Sequence, residues 1–259
     1  MADRVTLITG ASAGIGAQLA RIFAANDHRV ALVARRAERL TTLADEIING
    51  GGAVPIVIAC DLERPDSCDI IAGALAAQDV EVDYVVNNAG FGLAGPAYEL
   101  DREQQLGMTD VNVRAVTDLS LRFCDSIIRN GGGILNVASI AGYLPGPYMA
   151  VYYATKAYVL SFTEALHHEL RPKGVKVTAL CPGPVPTEFQ ERAGVVPGFD
   201  SWVLNLSAER VALAGYRGLM AGKRVVLPGV PIRTIPFLLR FAPRWVVLGA
   251  AGTIQSKRV

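Results

Sequence analysis

The feature that most constrains this chain is a regular alternation of short apolar runs with stretches of helical sequence. The runs are rich in β-branched residues, and most carry apolar residues at consecutive positions instead of alternate ones. A strand that is apolar on both faces is typical of a parallel sheet covered by helices on both sides. The pattern therefore predicts an α/β fold with a single doubly wound parallel sheet flanked by helices. The predicted strands are residues 4–9, 29–33, 54–59, 82–86, 133–138, 175–180 and 225–227.

The size of the chain agrees with one large α/β domain. Its 259 residues are 51% hydrophobic and include 26 glycines, which is enough to bury an ample core. No Cys-x-x-Cys spacing occurs and the chain opens with a strand, so a reducing cytoplasm is the expected location. The histidines have no neighbours that would make a ligand cluster, so no metal site is expected. The residues concerned are Cys60, Cys68, Cys124, Cys181, His28, His167 and His168.

A glycine-rich turn follows the first predicted strand. Gly10, Gly14 and Gly16 lie between residues 4–9 and a helical pattern that runs through Ala24. Such a turn directs the N-terminus of a helix at a phosphate, and the missing β-carbons let a pyrophosphate lie against the backbone. The glycine spacing is three then one, unlike the commonest dinucleotide fingerprint. Its place at the first strand-to-helix junction still favours a cofactor site over a purely structural turn.

Tyr152 and Lys156 are separated by about one helical turn, so their side chains share one helix face. A nearby positive charge favours the phenolate, which predicts a lowered tyrosine pKa and a usable proton donor and acceptor. Ser139 lies thirteen residues before Tyr152. This equipment suits acid–base chemistry on a carbonyl or an alcohol, although the pair alone would also be compatible with an ordinary surface contact.

Together these motifs resemble the short-chain dehydrogenase/reductase family, in its order and spacing. The resemblance covers residues 4–228, nearly the whole chain, and implies a Rossmann-like fold. The motifs are Thr9-Gly10-x-x-x-Gly14-x-Gly16, Asn87-Asn88-Ala89-Gly90, Asn112, Ser139, Tyr152-x-x-x-Lys156 and Pro182-Gly183.

The resemblance implies a reaction in which hydride passes between a nicotinamide cofactor and a carbonyl carbon. Tyr152 would donate the proton to the oxygen, and Ser139 would hydrogen-bond that same oxygen. Lys156 would lower the Tyr152 pKa and hold the nicotinamide ribose. Asn112 would anchor a water that leads protons toward Lys156. Tyr153 is a rival for the proton donor, but the family's four-residue spacing selects Tyr152.

The resemblance also implies the cofactor contacts residue by residue. Asp61 and Leu62 would lie beside the adenine, although Asp61 could instead cap the following helix. Asn88 is also interpreted as a strut between strands. The loop from Pro182 would cover the nicotinamide, with Val185 and Thr187 near its carboxamide. The implied set is Gly10, Ser12, Gly14, Ile15, Gly16, Arg35, Asp61, Leu62, Asn88, Ala89, Gly90, Tyr152, Lys156, Pro182, Gly183, Val185 and Thr187.

The end of the second predicted strand favours NADP(H) over NAD(H). Ala34 stands where NAD-preferring relatives place a carboxylate that accepts the ribose hydroxyls. Arg35 follows at once, and a guanidinium can bind a 2′-phosphate through two charged hydrogen bonds. The resemblance assigns this role to Arg35 with help from Ser12. The alternative is that Arg35 and Arg36 only solvate the start of the next helix.

The predicted substrate pocket is apolar. Its residues stand where the family places its substrate wall and lid, and about half of them are expected to reach the cavity. Such a lining favours a hydrophobic ketone, for example a 3-oxoacyl chain or a ring ketone, over a sugar or a small polar acid. The residues are Phe91, Leu93, Tyr143, Leu144, Tyr148, Met149, Phe189, Val195, Val196, Phe199 and Trp202.

The last fifty residues have an unusual charge distribution. Residues 210–259 hold nine of the 25 Lys and Arg residues and none of the 24 Asp and Glu residues. Arg233, Arg240 and Arg244 are spaced seven and four apart, on one face of a helix, among apolar residues. The apolar run is too short and too often interrupted for a transmembrane span. Two interpretations remain: an interfacial segment on anionic lipid or beside an acyl substrate, or a helix packed over the pocket or a partner.

This ending more loosely resembles that of long-chain 3-oxoacyl reductases. The expected organisation is a dinucleotide-binding and catalytic domain at 1–229 and a C-terminal extension at 230–259, packed on the domain or at a membrane surface. Residues 115–128 and 152–170 are predicted to be helices that are more apolar than one buried face requires, and in relatives these helices pair across a two-fold axis. A homodimer is expected, and the basic ending puts the family's tetramer in doubt.

The sequence thus predicts an oxidoreductase that transfers hydride between NADP(H) and a hydrophobic ketone or secondary alcohol. The alternative is an NADP(H)-sensing regulator with little turnover, which would need the cofactor contacts but not Tyr152 and Lys156. A nucleic-acid partner is disfavoured, because the basic charge is confined to an apolar ending without a recognition element.

Overall fold

The computed structural model of the protein describes residues 3–195 and 206–257, apart from the side chain of Pro231. Seven parallel strands form one sheet in the order β3-β2-β1-β4-β5-β6-β7. The strands are β1 (Asp3–Thr9), β2 (Val30–Ala34), β3 (Ile56–Ala59), β4 (Val80–Asn87), β5 (Gly133–Val137), β6 (Lys176–Leu180) and β7 (Val225–Val226). The strand order reverses between β1 and β4, which is where a doubly wound sheet opens its ligand-binding crevice.

The predicted sheet is confirmed, with small differences at the strand ends. β3 starts at Ile56, two residues later than predicted, because Pro55 has no backbone N–H to offer the ladder. β4 is longer than predicted at both ends and contributes eight residues, including Asn87, to the centre of the sheet. All the neighbouring strand pairs are parallel, as the near-continuous apolar runs predict.

The helices that the structure describes lie on both faces of the sheet. They are α1 (Gly14–Ala24), α2 (Ala37–Asn49), α3 (Ser67–Ala76), α4 (Arg102–Thr109), α5 (Ala115–Arg122), α6 (Cys124–Asn130), α7 (Ala150–Leu170), α8 (Glu188–Ala193), α9 (Ala208–Met220), α10 (Val230–Leu239) and α11 (Arg244–Gln255). A π-helical turn at Asp110–Arg114 joins α4 to α5, and a 3₁₀ turn spans Ile140–Tyr143.

The core has one large cluster on each side of the sheet. On one side α1, α2 and α9 bury residues such as Phe23, Leu40 and Leu219. On the other side α3, α5 and α7 bury residues such as Ile71 and Leu119. Because both sheet faces are covered, the crevice at the carboxyl ends of the strands is the place left open for a ligand.

The prediction of one helix over residues 115–128 is wrong. α5 ends at Arg122 and α6 begins at Cys124, because Phe123 takes the non-helical φ and ψ of −98° and 7°. The Phe123 side chain packs against the core cluster, and α6 then buries Ile127 from a new direction. The apolar residues of this segment therefore serve two short helices.

The C-terminal helices α10 and α11 lie against the domain at the open end of the crevice. Gln255 in α11 is buried and donates a short hydrogen bond to the Tyr153 hydroxyl in α7. Gly252 sits close to Pro147, where a β-carbon would lie 3.6 Å from the proline ring. Within the described ranges no helix has the length and apolar content needed to cross a membrane.

Candidate active site

The glycine turn after β1 adopts a backbone that other residues rarely take. Gly10 and Gly14 have φ values of +66° and +56°. A β-carbon at Gly10 would lie 2.7 Å from the Asn88 amide nitrogen, and one at Gly16 would clash with the Gly10 carbonyl. Gly10 is therefore required for both conformation and space, Gly14 for conformation and Gly16 for space.

Asn88 ties the glycine turn to the end of β4. Its side-chain amide donates to the carbonyl oxygens of Thr9 and Gly10 at 3.0 and 3.2 Å. In return the Thr9 hydroxyl accepts hydrogen bonds from the backbone N–H groups of Asn88 and Ala89, both at 3.1 Å. The strut interpretation of Asn88 matches these contacts, and its turn borders the same crevice.

The N-terminus of α1 points into the crevice without a side-chain cap. Its N-cap residue is Ala13, whose side chain cannot accept a hydrogen bond from the first turn. The free N–H groups at the start of α1 and its positive dipole end make an anion site. An anionic group of a ligand at this position would meet backbone donors instead of side-chain oxygens.

Three arginines at the start of α2 form the arginine end of the cavity: Arg35, Arg36 and Arg39. Arg36 donates to the Ser12 hydroxyl at 3.1 and 3.4 Å. Arg35 instead lies 3.4 Å from Glu63 and 3.8 Å from Asp61. The arginine end therefore holds more arginines than the single one predicted from the sequence, and the carboxylates of Asp61 and Glu63 lie beside them.

In this structure Arg36, and not Arg35, contacts Ser12, while the shared role of Arg35 and Ser12 at a 2′-phosphate stays a prediction. Consecutive residues leaving a strand point in different directions, so Arg36 turns toward the glycine turn while Arg35 turns toward the end of β3. The interpretation of Asp61 as a helix cap is wrong. Its carboxylate accepts from the Glu63 backbone at 3.1 Å, whereas α3 begins after Asp66.

The short helix α8 is held across the cavity by ion pairs. Glu188 binds Arg36 at 2.8 Å and makes a shorter contact with Arg39. These arginines hold the pKa of Glu188 below its usual value, with the Arg39 hydrogen bond the largest cause. Arg192, at the other end of α8, lies 3.6 Å from Glu63 and 3.9 Å from the centre of the Phe91 ring.

Ser139, Tyr152, Lys156 and Asn112 meet at the other end of the cavity, the tyrosine end. All four are buried. Ser139 follows β5 and caps the 3₁₀ turn, where its hydroxyl accepts from the Ala141 N–H at 3.1 Å. Its hydroxyl also interacts with that of Tyr152, which sits on the first turn of α7.

Lys156 lies one turn after Tyr152 but does not bind its hydroxyl. The Lys156 ammonium donates to the Val137 carbonyl at 2.8 Å and lies 5.8 Å from the centre of the Tyr152 ring. Burial lowers the Lys156 pKa to about 8. Lys156 is therefore charged at neutral pH, and it loses that charge in a range where an ordinary lysine would keep it.

The expectation of a lowered Tyr152 pKa is wrong for this arrangement. Burial raises the Tyr152 pKa, and the hydrogen bond with Ser139 opposes that rise only in part. The reason is that Lys156 is itself desolvated and directs its hydrogen bond at the backbone. Tyr152 is thus a neutral phenol here, which can donate a proton or a hydrogen bond.

Asn112 fixes the wall behind Lys156. It lies in the π-helical turn, a feature frequently found at functional sites, and its side chain is completely buried. The amide bonds both the N–H and the carbonyl of Phe91, and it donates to Thr155 at 3.0 Å. A β-carbon at Gly90 would approach the Asn112 oxygen to 2.9 Å and Lys156 to 3.4 Å.

The arginine and tyrosine ends belong to one cavity of about 1040 Å³. Gly16 and Asn112 stand behind its wall, while the other predicted site residues line it. The lining residues among them are Gly10, Ser12, Gly14, Ile15, Arg35, Asp61, Leu62, Asn88, Ala89, Gly90, Ser139, Tyr152, Lys156, Pro182, Gly183, Val185 and Thr187. Thr187 caps α8 and its methyl group faces Gly14, so the loop after β6 covers the glycine turn.

The substrate side of the cavity is apolar. Five of the residues predicted to form its wall or lid do line it: Phe91, Leu144, Met149, Phe189 and Val195. Phe189 on α8 lies 5.3 Å from Tyr152, measured between ring centres. α10 and α11 add residues that the sequence did not single out: Ile232, Ile235, Ala251, Ile254 and Gln255.

Three predicted wall residues lie elsewhere, and for them the prediction is wrong. Leu93 packs on the core cluster, and Tyr143 packs near Cys181, with which it shares a hydrogen bond. Tyr148 has a φ of +63°, and its carbonyl binds the N–H of Gly95. Val196, Phe199 and Trp202 fall outside the described residues.

Several charged residues of the site were missed from the sequence. The role of Arg36 was left open. The sequence did not single out Arg39, Glu63, Glu188 or Arg192. Their partners lie up to 149 positions away along the chain, as for Arg39 and Glu188, so no local spacing brings them together. A possible signal was the cluster of three arginines, Arg35, Arg36 and Arg39, directly after β2.

The sequence of this chain is similar to a known protein family and to characterised proteins. The model of the short chain dehydrogenase family matches residues 4–194. Among curated proteins, a sulfoacetaldehyde reductase of Chromohalobacter salexigens is 39% identical over 70% of this chain and 72% of its own length. The family match at residues 4–194 spans the glycine turn, the tyrosine end and α8.

Solved structures share the fold over more of the chain. A short-chain dehydrogenase from Sphingobium yanoikuyae in complex with NADPH has a TM-score of 0.80 and 30% identity, covering 99% of this chain and 96% of that one. A short-chain dehydrogenase/reductase from Burkholderia phymatum in complex with NAD has a TM-score of 0.78 and 26% identity, with 92% of each chain covered. The protein therefore belongs to the short-chain dehydrogenase/reductase family, whose members act on alcohol and carbonyl groups.

Proposed function

We propose that the protein transfers hydride between NADP(H) and a bulky apolar ketone or the matching secondary alcohol. The observation that carries the proposal is the meeting of Ser139, Tyr152 and Lys156 at the apolar end of a cavity whose other end is rich in arginine. A proton donor beside an apolar pocket suits carbonyl reduction, and an anion site at the far end suits a dinucleotide.

The residues of the cavity fit a pyridine dinucleotide. The uncapped start of α1 and the glycine turn offer backbone donors and close approach to a pyrophosphate. Gly90, Pro182 and Gly183 line the stretch between this turn and Tyr152. When bound, the nicotinamide supplies or accepts the hydride, which no side chain can do.

Tyr152 acts as the proton donor in ketone reduction. Its phenol is neutral because burial raises its pKa, so the proton is available for the developing alkoxide. Ser139 interacts with the same hydroxyl and can donate a second hydrogen bond to the substrate oxygen. The two hydroxyls together fix where the carbonyl oxygen lies.

Lys156 supplies positive charge at the tyrosine end and is oriented by the Val137 carbonyl. Lys156 lines the cavity, and its ammonium would hold a ribose hydroxyl of the bound cofactor. Asn112 holds the Phe91 backbone and Thr155 in place and thereby keeps the wall around Lys156 rigid. We assign Asn112 a supporting role in proton supply to Lys156.

The arginine end favours NADP(H). Arg36 already binds Ser12, and a 2′-phosphate between Arg35 and Arg36 would meet two guanidinium groups. Asp61 pairs with Arg35, so the negative charge of its carboxylate is compensated and repels the phosphate less. Likeness to other proteins does not choose between the cofactors, since one similar structure holds NADPH and another NAD.

A panel of ketones tests the function. Purified protein would be mixed with NADPH and 3-oxoacyl thioesters, ring ketones or sugars, and absorbance of the reduced cofactor followed. We expect turnover of the apolar ketones and little of the sugars, because Phe189, Met149 and Leu144 offer sugars no hydrogen bonds. Cofactor binding without turnover of any ketone would instead favour an NADP(H) sensor.

The C-terminal helices α10 and α11 set the preference for substrate length. Ile232, Ile235 and Ile254 line the same cavity as Tyr152 and Phe189. Replacing Ile235 and Ile254 by alanine should raise KM for long ketones more than for short ones. Equal effects on both would show that the tail does not contact the substrate.

We also propose a cytoplasmic homodimer, with a domain at 1–229 and an extension at 230–259 packed on it. Leu121 in α5 and Tyr158 in α7 are exposed, and Tyr158 stacks on Phe162 with 5.9 Å between ring centres. This apolar face fits a two-fold pairing of α5 and α7. Tyr158→Arg should yield a monomer in sedimentation, whereas a wild-type monomer would refute the dimer.

A further inference from the structure

The two C-terminal helices and the turn between them expose large apolar side chains to solvent. Phe241 and Trp245 are 73% and 77% exposed. Their neighbours are also exposed, and the rings of Phe237 and Phe241 contact each other with 5.3 Å between their centres. We call Phe237, Leu238, Phe241, Trp245 and Leu248 the tail patch. An exposed group of this size and composition is typical of an interaction surface.

Positive charge surrounds the tail patch. Arg233, Arg240 and Arg244 are exposed in or beside α10 and α11. No Asp or Glu occurs anywhere in residues 210–259, so the sequence offers these arginines no nearby carboxylate. Arginine stems can lie along apolar surface while their charged heads reach outward. The surface is therefore complementary to a partner that is anionic outside and apolar beneath.

The lengths of the helices determine whether they could cross a membrane or only lie on its surface. α10 and α11 have 10 and 12 residues, and Pro236 and Pro243 interrupt the segment. Neither helix can cross a hydrocarbon core of about 30 Å. Each can lie flat, with aromatic residues at the boundary between headgroups and acyl chains, as interfacial helices do.

The same helices connect this surface to the cavity. Ile232, Ile235 and Ile254 line the cavity, while the tail patch is exposed to solvent. Gln255 anchors α11 to Tyr153 on α7, so the patch is held in a fixed position relative to the tyrosine end. A membrane at the patch would bring its apolar interior close to the entrance of an apolar pocket.

We propose that the tail patch docks the protein on an anionic membrane surface. The arginines contact lipid phosphates, and Phe237, Phe241 and Trp245 enter the headgroup and acyl boundary. This docking goes beyond the proposed reaction and does not depend on it, since binding to lipid is measured without cofactor or ketone. Failure of docking and absence of turnover are therefore separate results.

Vesicle sedimentation with the full chain tests the proposal. The protein is mixed with vesicles of phosphatidylcholine alone or of phosphatidylcholine with phosphatidylglycerol. We expect binding to the mixed vesicles only, and a decrease of that binding as salt is raised, because the charge attraction is screened. Absence of binding, or equal binding to both kinds of vesicle, would overturn the proposal.

Two double variants separate the two contributions. Arg240→Glu with Arg244→Glu should weaken binding roughly tenfold or more, since each basic residue near an anionic surface contributes several-fold. Phe241→Ser with Trp245→Ser should weaken it at least as much by removing the inserted rings. Tyr98→Ser is the matched control, because Tyr98 is an aromatic residue that is 87% exposed outside the tail. Unchanged binding in both double variants would refute the assignment of the patch.

Fluorescence and sedimentation provide independent measurements. Trp245 is one of two tryptophans, so a blue shift on mixed vesicles that disappears in Trp245→Phe would locate the insertion at the patch. Velocity sedimentation of the Phe241→Ser and Trp245→Ser variant addresses the competing occupant. If this variant sediments as a smaller assembly than the wild type while its vesicle binding is unchanged, a second copy of the chain covers the patch. The proposal would then be wrong.

Discussion

The arginine end and the tyrosine end of the cavity are built in opposite ways. Arg35, Arg36 and Glu188 have side chains that are 42–49% exposed, and they are joined by ion pairs. Asn112, Lys156 and their neighbours are almost fully buried and held by hydrogen bonds. Exposed ion pairs contribute little stability, whereas leaving a buried polar group unpaired is costly. The arginine end can therefore exchange partners at low cost, while the tyrosine end keeps a single arrangement.

The largest expected effect tests the tyrosine end. Tyr152→Phe removes one hydroxyl from a buried site and should reduce kcat by about 10²–10⁴-fold, the usual contribution of a positioned proton donor. Affinity for NADPH should change little, because the substitution leaves the glycine turn and the arginine end intact. Steady-state kinetics and cofactor titration check both statements. Tyr153→Phe is the control, and the opposite pattern in the two variants would show that Tyr153 donates the proton.

The second prediction concerns pH. Burial lowers the Lys156 pKa to about 8, so the ammonium loses its proton above that pH. We expect kcat/KM for ketone reduction to fall above about pH 8, since the positive charge of the tyrosine end is then lost. Lys156→Arg should move this fall to higher pH while lowering the rate. The same profile in both proteins would mean that another group titrates.

The folding stability of the protein should also depend on the protonation of Lys156, and the direction of this pH dependence can be predicted. The folded-state Lys156 pKa is below that of an unfolded lysine, so between about pH 8 and the usual lysine pKa the unfolded chain binds more protons. The contribution of Lys156 to folding stability therefore increases with pH in that window. Comparing urea unfolding of wild type and Lys156→Met across the window isolates it. A difference that does not change with pH would contradict the lowered pKa.

The third prediction tests the arginine end. NADPH should bind more tightly than NADH. Arg35→Ala should reduce the difference between their binding free energies by about 1.5–3 kcal/mol, the range for a charge-assisted hydrogen bond. Arg36→Ala should narrow it similarly, since Arg36 lies against Ser12. NADH affinity should barely change in either variant. Titration of both cofactors decides, and equal affinities in the wild type would refute the phosphate role.

The smallest expected effect comes from Glu188. Glu188→Gln removes the carboxylate that pairs with Arg36 and Arg39, so both guanidinium groups become free for a phosphate. NADPH affinity should rise a few-fold, corresponding to less than about 1 kcal/mol for an exposed pair. Glu191→Gln on the same helix is the matched control. A decrease in NADPH affinity would show that Glu188 organises the arginines instead of competing for them.

The sequence predicted the fold well because apolar runs and glycine positions are local signals. β1, the turn through Gly16 and α1 follow from three adjacent patterns, and the parallel sheet follows from strands without alternation. The break at Phe123 was not predictable, since no Pro or Gly marks it and its cause is packing of one ring against the core.

The site was predictable only where its residues share a local spacing. Tyr152 and Lys156 are neighbours on one helix, so the sequence alone brings them together. Their protonation depends on burial, which comes from the tertiary structure, and for this reason the predicted direction of the Tyr152 pKa shift was wrong. Likewise the Arg39–Glu188 pair spans 149 positions and depends on how α8 packs over the crevice.

Helix α8 has a kinetic consequence. Its first residue, Glu188, is bound to the arginine end, while its second, Phe189, touches the ring of Tyr152. The two residues are neighbours on one helix, so Glu188 cannot move without moving Phe189. The two reactants should therefore not add independently: NADP(H) should enter first, and the ketone should bind productively only to the binary complex. Initial-rate patterns for ketone reduction would then show ordered addition, and NADP⁺ would be the last product to leave.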